Sequence, residues 1–159
     1  MDIFDTPPKK TMTFEYRGAP IDPELRPLWR ISLISTILLK LCSGNKANSK
    51  KLQTLYSLIS SQKKRQAYKK SITEGDSSTI INIRFDPLVD RAVDMGIGEK
   101  LFILDDAKSI KLSNKGLAFA NKIITDNNIF TIEKEFINSF KKSHFNDNTI
   151  NKLINGDLT

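Results

Sequence analysis

Residues 86–126 read DPLVDRAVDMGIGEKLFILDDAKSIKLSNKGLAFANKIITD, and this stretch decides the fold. Asp86 is a helix cap, and Leu88, Val89, Ala92 and Val93 fall at helical spacing as the inward face of a short helix ending near Met95–Gly96. Gly96-Ile97-Gly98 is expected to turn the chain. Two apolar runs, Leu101–Leu104 and Ser109–Leu112, flank the polar turn Asp105-Asp106-Ala107-Lys108 and predict a β-hairpin. Ser113 caps a further helix, Asn114–Asp126, with Leu117, Ala120, Ile123 and Ile124 on one side. Small Gly116 and Ala120 let that helix approach the sheet closely. Helix, hairpin and helix in this order make a winged helix. The expected fold class is therefore mostly α with a small β-sheet: a winged-helix domain carrying an N-terminal arm and C-terminal helices.

Working upstream, Leu28–Cys42 is a helix apolar nearly all round, which marks a central core helix, with Cys42 as a small buried hydrophobe and Gly44 as the stop. Asn48 or Ser49 caps a second helix carrying Leu52, Leu55, Tyr56 and Ile59. The basic segment Ser61–Ser71 continues that helix or forms a third. Glu74–Ser78 is a turn, and Thr79–Phe85 (TIINIRF) reads as a strand with Ile81, Ile83 and Phe85 on one face. Prolines at 7, 8, 20, 23 and 27 forbid a continuous helix at the start, where Thr11–Arg17 alternates like an extended segment. Downstream, Ile132, Phe136, Ile137 and Phe140 form a helical stripe in Thr131–Lys142, and a last helix is expected over Asn148–Ile154. The expected organisation is an extended arm over 1–27, a winged-helix domain over 28–126 and a helical tail over 127–159.

The 159 residues include one cysteine and one histidine. Such a chain is long enough to bury a sizeable core without cross-links. Those two counts exclude a disulfide framework and a zinc site built from Cys and His, and they disfavour enzyme chemistry. The net charge of +7 is unevenly spread. Residues 26–73 hold eleven basic side chains and no acidic one, whereas the segments on either side are each mildly acidic. A local basic block is an interaction face or a solvated helix surface. Met1–Lys10 has no signal-like pattern, and the most apolar stretch is too short for a span of about 20 residues. A cytoplasmic chain with no membrane partner is the expectation.

No catalytic constellation emerges, and no cofactor is called for. His144 sits in a polar stretch and reads as a lone surface histidine. Cys42 has no base in local sequence. Gly96-x-Gly98 precedes a strand and lacks a following Lys-Ser/Thr, so it is no phosphate loop. The pair Asp105-Asp106 reads as turn chemistry.

The helix before a hairpin would ordinarily read DNA, yet here it presents Asp86, Asp90 and Asp94, four apart on one face, with Arg91 its only basic residue. Stacked carboxylates repel phosphates, so this face meets a protein or nothing. The basic residues lie elsewhere. Lys50, Lys51, Lys63, Lys64, Arg65, Lys69 and Lys70 are candidates for contact with the DNA backbone, or equally with an acidic protein surface.

Several short patterns carry a family resemblance. Arg26-Pro27-Leu28-Trp29-Arg30-Ile31-Ser32-Leu33 leads into the apolar helix, followed by Cys42-Ser43-Gly44 and Lys51-Leu52-Gln53. Phe85-Asp86-Pro87, Gly98–Leu104 and Leu112-Ser113-x-x-Gly116-x-x-x-Ala120 come after. In this order the chain, roughly from Arg26 to Ala120, resembles the small middle component of ABC three-component systems, a group that includes the small subunit of Lamassu-type anti-phage and anti-plasmid defence complexes. The Arg-Pro-Leu-Trp-Arg-Ile-Ser start is the most specific part. The Lys/Arg density of 63–70 has no place in the shared pattern.

The resemblance implies a non-enzymatic, kleisin-like adaptor bound to an SMC-like ABC ATPase and a nuclease-type effector subunit, with non-sequence-specific contact to double-stranded DNA. It adds Arg26, Trp29 and Arg30 to Asp86, Asp90 and Asp94 as candidate partner-binding residues. The alternative from another class is a winged-helix transcriptional regulator using Lys50–Lys70 as an unusual recognition surface.

Overall fold

The computed structural model describes residues 26–75, 78 and 80–156. The arm before Arg26, with its expected extended segment Thr11–Arg17, lies outside the described residues. In chain order the elements are α1 (Pro27–Leu41), β1 (Lys46–Ala47), α2 (Ser49–Ser60), α3 (Gln62–Glu74), α4 (Pro87–Gly98), β2 (Phe102–Leu104), β3 (Ile110–Leu112), α5 (Asn114–Thr125), α6 (Thr131–Asn138) and α7 (Asp147–Asn155). The described chain is thus mostly helical with one small antiparallel sheet. Among the described residues no helix is long and apolar enough to cross a membrane.

α1 is the centre of the molecule. Pro27 starts it, where a missing N–H costs nothing, and every side chain from Arg30 to Leu38 is buried. It packs against α2, α4, α5, α6 and β3. The two hydroxyls that this burial dries out, Ser35 and Thr36, donate to the carbonyls of Ile31 and Ser32 one turn back, at 2.7 and 3.0 Å. The first turn departs from the all-round burial expected of it, for Leu28 is 64% exposed. Cys42 leaves the helix in extended conformation, and Gly44 (φ +66°) reverses the chain.

That reversal delivers β1, a strand too short to announce itself in sequence. It pairs antiparallel with β3 (Lys46 opposite Lys111, Ala47 opposite Ile110), and β3 pairs with β2, so the sheet order is β1-β3-β2. The hairpin turn is held by Asp105, whose carboxylate accepts from the Ser109 amide at 2.8 Å and from the Lys46 ammonium at 3.1 Å. Those two bonds hold its carboxyl below the usual carboxylate range, the Ser109 amide contributing most. Asp105 is thus occupied by the turn, as its position suggested.

α4 begins at the Asp86 cap, whose carboxylate accepts from the Leu88 amide at 2.9 Å. It runs to Gly98, so Gly96-Ile97-Gly98 forms its last turn and the chain turns only at Lys100 (φ +61°). Gly96 stays within the helix, and the Phe102 ring occupies the space a Cβ would need there. α5 starts at Ser113, whose hydroxyl accepts from the Gly116 amide at 2.9 Å and donates to the Lys100 carbonyl at 2.6 Å. Gly116 rides directly on the Leu101 carbonyl, the close approach for which a small residue was expected.

One expected strand is absent. Residues 80–85 carry no ladder pairing, and Thr79 lies outside the described residues. Helix side chains replace the strand partner: the Arg84 amide donates to Ser57 Oγ at 3.3 Å and the Asp86 amide to Gln53 Oε1 at 3.0 Å. Of the expected face only Ile81 is buried, while Phe85 stands exposed. The basic segment forms a helix of its own, α3, capped by Ser61. At the other end α6 packs on α1 and α2 and α7 on α2, with Phe136, Ile137, Ile150 and Leu153 inward. Ile132 leaves the expected stripe and points to solvent.

Candidate functional site

The basic block does not form one continuous surface. Arg65 leaves the set of nucleic-acid candidates: it is 6% exposed, donates to the Ile59 carbonyl and lies 3.8 Å from Glu133 Oε1. Its charge ties the start of α3 to the end of α2 and to α6. Lys50 is exposed and reaches Asn151 Oδ1 on α7 at 2.8 Å, with half-buried Lys51 beside it. Lys69 is exposed above the Phe136 ring, and exposed Lys70 lies 3.9 Å from Glu74. Lys63 is exposed, while Lys64 is half-buried with its ammonium 2.6 Å from Ser57 Oγ.

Lys63 and Lys64 share a groove of about 410 Å³ with Arg84, which arrives from the segment before α4. Ala67, Ile80 and Ile81 supply its apolar wall. Arg84 was missed from the sequence because it sits in an alternating apolar run. Strand alternation would have set it on the face opposite Ile81, whereas the unpaired segment brings both to the groove, so no signal in the sequence found it.

The carboxylate face also divides. Asp86 and Arg30 form an ion pair, with Nη1 donating to Oδ2 at 2.6 Å, and Arg30 is buried. Gln53, buried on α2, donates to the Asp86 carbonyl at 3.1 Å and to Asp90 Oδ1 at 2.9 Å. Arg30, Asp86 and Gln53 therefore lock α1, α2 and α4 together, with Arg30 buried and the Asp86 carboxylate part-exposed. Trp29 is half-buried, edge-on to Tyr56 and to Phe130 with ring centroids 6.5 and 5.1 Å away. Arg26, Asp90 and Asp94 remain exposed.

What sequence reasoning missed at this end is apolar. Leu28, Leu88 and Met95 project to solvent around the starts of α1 and the outer side of α4. They line two adjoining grooves of about 520 and 230 Å³ that share Pro27 and Met95, the larger bounded by Leu101 and Phe119, the smaller by Arg30 and Arg91.

Neither reactive-looking side chain is set up for chemistry. Burial pushes the Cys42 thiol up to about 11, although Lys51 and Lys142 pull the other way. His144 is not the lone surface residue expected. Its Nε2 meets the Tyr68 hydroxyl at 2.8 Å, and it packs among Phe140, Phe145 and Tyr68. Burial lowers its pKa and raises that of Tyr68 to about 12, so at neutral pH a protonated phenol meets a neutral imidazole. Among the described residues no three of His, Cys, Asp and Glu come together as a metal-binding group. No protein-family model, curated protein or solved structure matches the chain.

Proposed function

We propose that this chain is a non-catalytic winged-helix accessory subunit, kleisin-like in role, of an SMC-like ABC ATPase complex in bacterial anti-phage or anti-plasmid defence. It bridges the ATPase and an effector subunit in the cytoplasm, and its basic helices contact the DNA backbone. The element order α1–β1–α2, then α4–β2–β3–α5, with β1 closing the sheet against β3, supports the winged-helix reading. The family resemblance of Arg26–Leu33 supports the choice of complex.

One observation carries the adaptor role. The helix before the hairpin offers Leu88 and Met95 to solvent beside Leu28, with Asp90 and Asp94 on the same helix. An exposed apolar patch of this kind suits a protein partner; the charged side chains lining it are Arg30, Arg91, Lys115 and Glu99, while Asp90 and Asp94 line neither groove. A sequence-reading regulator is disfavoured because the helix before the hairpin carries Asp86, Asp90 and Asp94 against a single basic residue, Arg91.

Co-expression with the large coiled-coil ATPase encoded beside it tests this reading. A stoichiometric complex that survives gel filtration is expected. A chain that purifies alone in the presence of that ATPase overturns it.

A further inference from the structure

The groove between α3 and the segment 80–84 collects three cations from two separate parts of the chain. Lys63 and Lys64 come from the first turn of α3, and Arg84 reaches in from the opposite wall. No acidic side chain lines the groove among the described residues. Lys64 is neighbour to Arg84 closely enough that, after burial, Arg84 is the second cause lowering its pKa. Among the described residues its ammonium meets the neutral Ser57 hydroxyl, at 2.6 Å. Three cations elsewhere find opposite partners: Arg30 has Asp86, Arg65 has Glu133 and Lys46 has Asp105. Here like charges are gathered with no anion beside them among the described residues, an arrangement whose mutual repulsion an incoming anion relieves.

The geometry points to a phosphate-binding groove, with Lys63, Lys64 and Arg84 gripping a phosphodiester of double-stranded DNA. Arg84 offers a planar fork matched to two phosphate oxygens, and the lysines add point charges on either side of it. The groove opens to solvent, so a backbone phosphate of a duplex can enter without strand separation. Nothing in it reads a base, in keeping with contact that positions DNA and carries no sequence information. The apolar wall of Ala67, Ile80 and Ile81 also suits a free nucleotide, the other source of the same phosphate chemistry. The inference rests on the reading that the basic helices meet DNA, and it is independent of the ATPase partner.

The full chain is titrated by fluorescence anisotropy with a 30-base-pair duplex of arbitrary sequence across a salt series. The wild type is compared with Lys63→Glu/Arg84→Glu and with a control, Lys108→Glu/Lys111→Glu, on the hairpin. All four side chains belong to exposed residues, so thermal melting is expected to leave both variants folded. The groove variant is expected to bind at least tenfold more weakly, with a salt slope shallower by about two, since each phosphate contact contributes about 0.9. The control is expected to bind within about twofold of wild type.

In a second arm, the thermal shift given by millimolar ATP or inorganic phosphate is compared between wild type and groove variant. Loss of that shift with DNA binding unchanged assigns the groove to free phosphate compounds and upholds the site. Equal effects of the two variants on DNA, or no effect of the groove variant in either arm, overturns it. A co-purifying ATPase with an inert groove leaves the accessory role standing while the groove falls.

Discussion

Arg30 near the start of α1 and Asp86 at the cap of α4 meet at 2.6 Å, and this contact fixes the angle between the central helix and the helix before the hairpin. Arg30 is buried, and its Nε has no hydrogen-bond partner among the described residues, so the carboxylate is its principal compensation there. Asp86 does three jobs at once, because it also caps Leu88 and exchanges bonds with Gln53. Asp86→Ala is expected to cost about 2 kcal/mol, the low end for a buried pair because Asp86 is partly exposed. Arg30→Met removes the stranded charge, so adding it to Asp86→Ala is expected to recover part of that loss. Urea melts of the two single variants and the double variant measure the coupling, and strictly additive losses contradict the assignment.

Gly116 and Gly98 make a matched pair of opposite sign. A Cβ on Gly116 runs into the Leu101 carbonyl, which is backbone and cannot step aside. Gly116→Ala is expected to destabilise the chain by about 3 kcal/mol through overpacking between α5 and the start of β2. Gly98 closes α4 with open space around it and an ordinary helical φ. Gly98→Ala is expected to stabilise by about 0.5 kcal/mol. Thermal melts moving in the same direction for both contradict this packing account.

These positions also mark what sequence can and cannot disclose. The caps Asp86 and Ser113, the choice of Asn48 or Ser49, and the small Gly116 were legible because each is a local choice, made between neighbours a few residues apart. β1 was not, since two residues carry no period and the strand exists only through Lys111 and Ile110 far along the chain. The segment 80–85 alternates like a strand, but Ser57 and Gln53 of α2 took its hydrogen bonds before any strand could. At the candidate sites the same distinction holds. A row of lysines and arginines is visible in sequence, whereas the burial of Arg65 needs Glu133 and the groove needs Arg84, both from other elements.

His144 gives the chain a pH-dependent contact. Burial holds its folded pKa below the ordinary value near 6.5, so the unfolded chain takes up the proton first. The stabilising contribution is therefore complete above about pH 6.5, declines as the pH falls below that value, and levels off beneath the folded pKa. His144→Gln keeps a partner for the Tyr68 hydroxyl without the titration. Urea denaturation at pH 7.5 and 5.5 is expected to show a larger loss on acidification for wild type than for the variant. Equal losses contradict the account.

The apolar patch makes the sharpest demand on the proposed role. Leu28 is 64% and Met95 49% exposed, so neither side chain holds the core together. Leu28→Asp and Met95→Asp are therefore expected to change thermal stability by less than about 0.5 kcal/mol, as surface substitutions do. If the patch is where the ATPase or effector docks, the same charges land in a desolvated interface, where an unpaired carboxylate is among the most disruptive changes available. Each single variant is expected to weaken co-purification at least tenfold, whereas Ile132→Asp, at an equally exposed apolar residue on α6, leaves it intact. A Leu28→Asp/Met95→Asp protein that still forms a stoichiometric complex would move the partner surface away from α4. The grooves around Pro27 would then be ordinary surface relief.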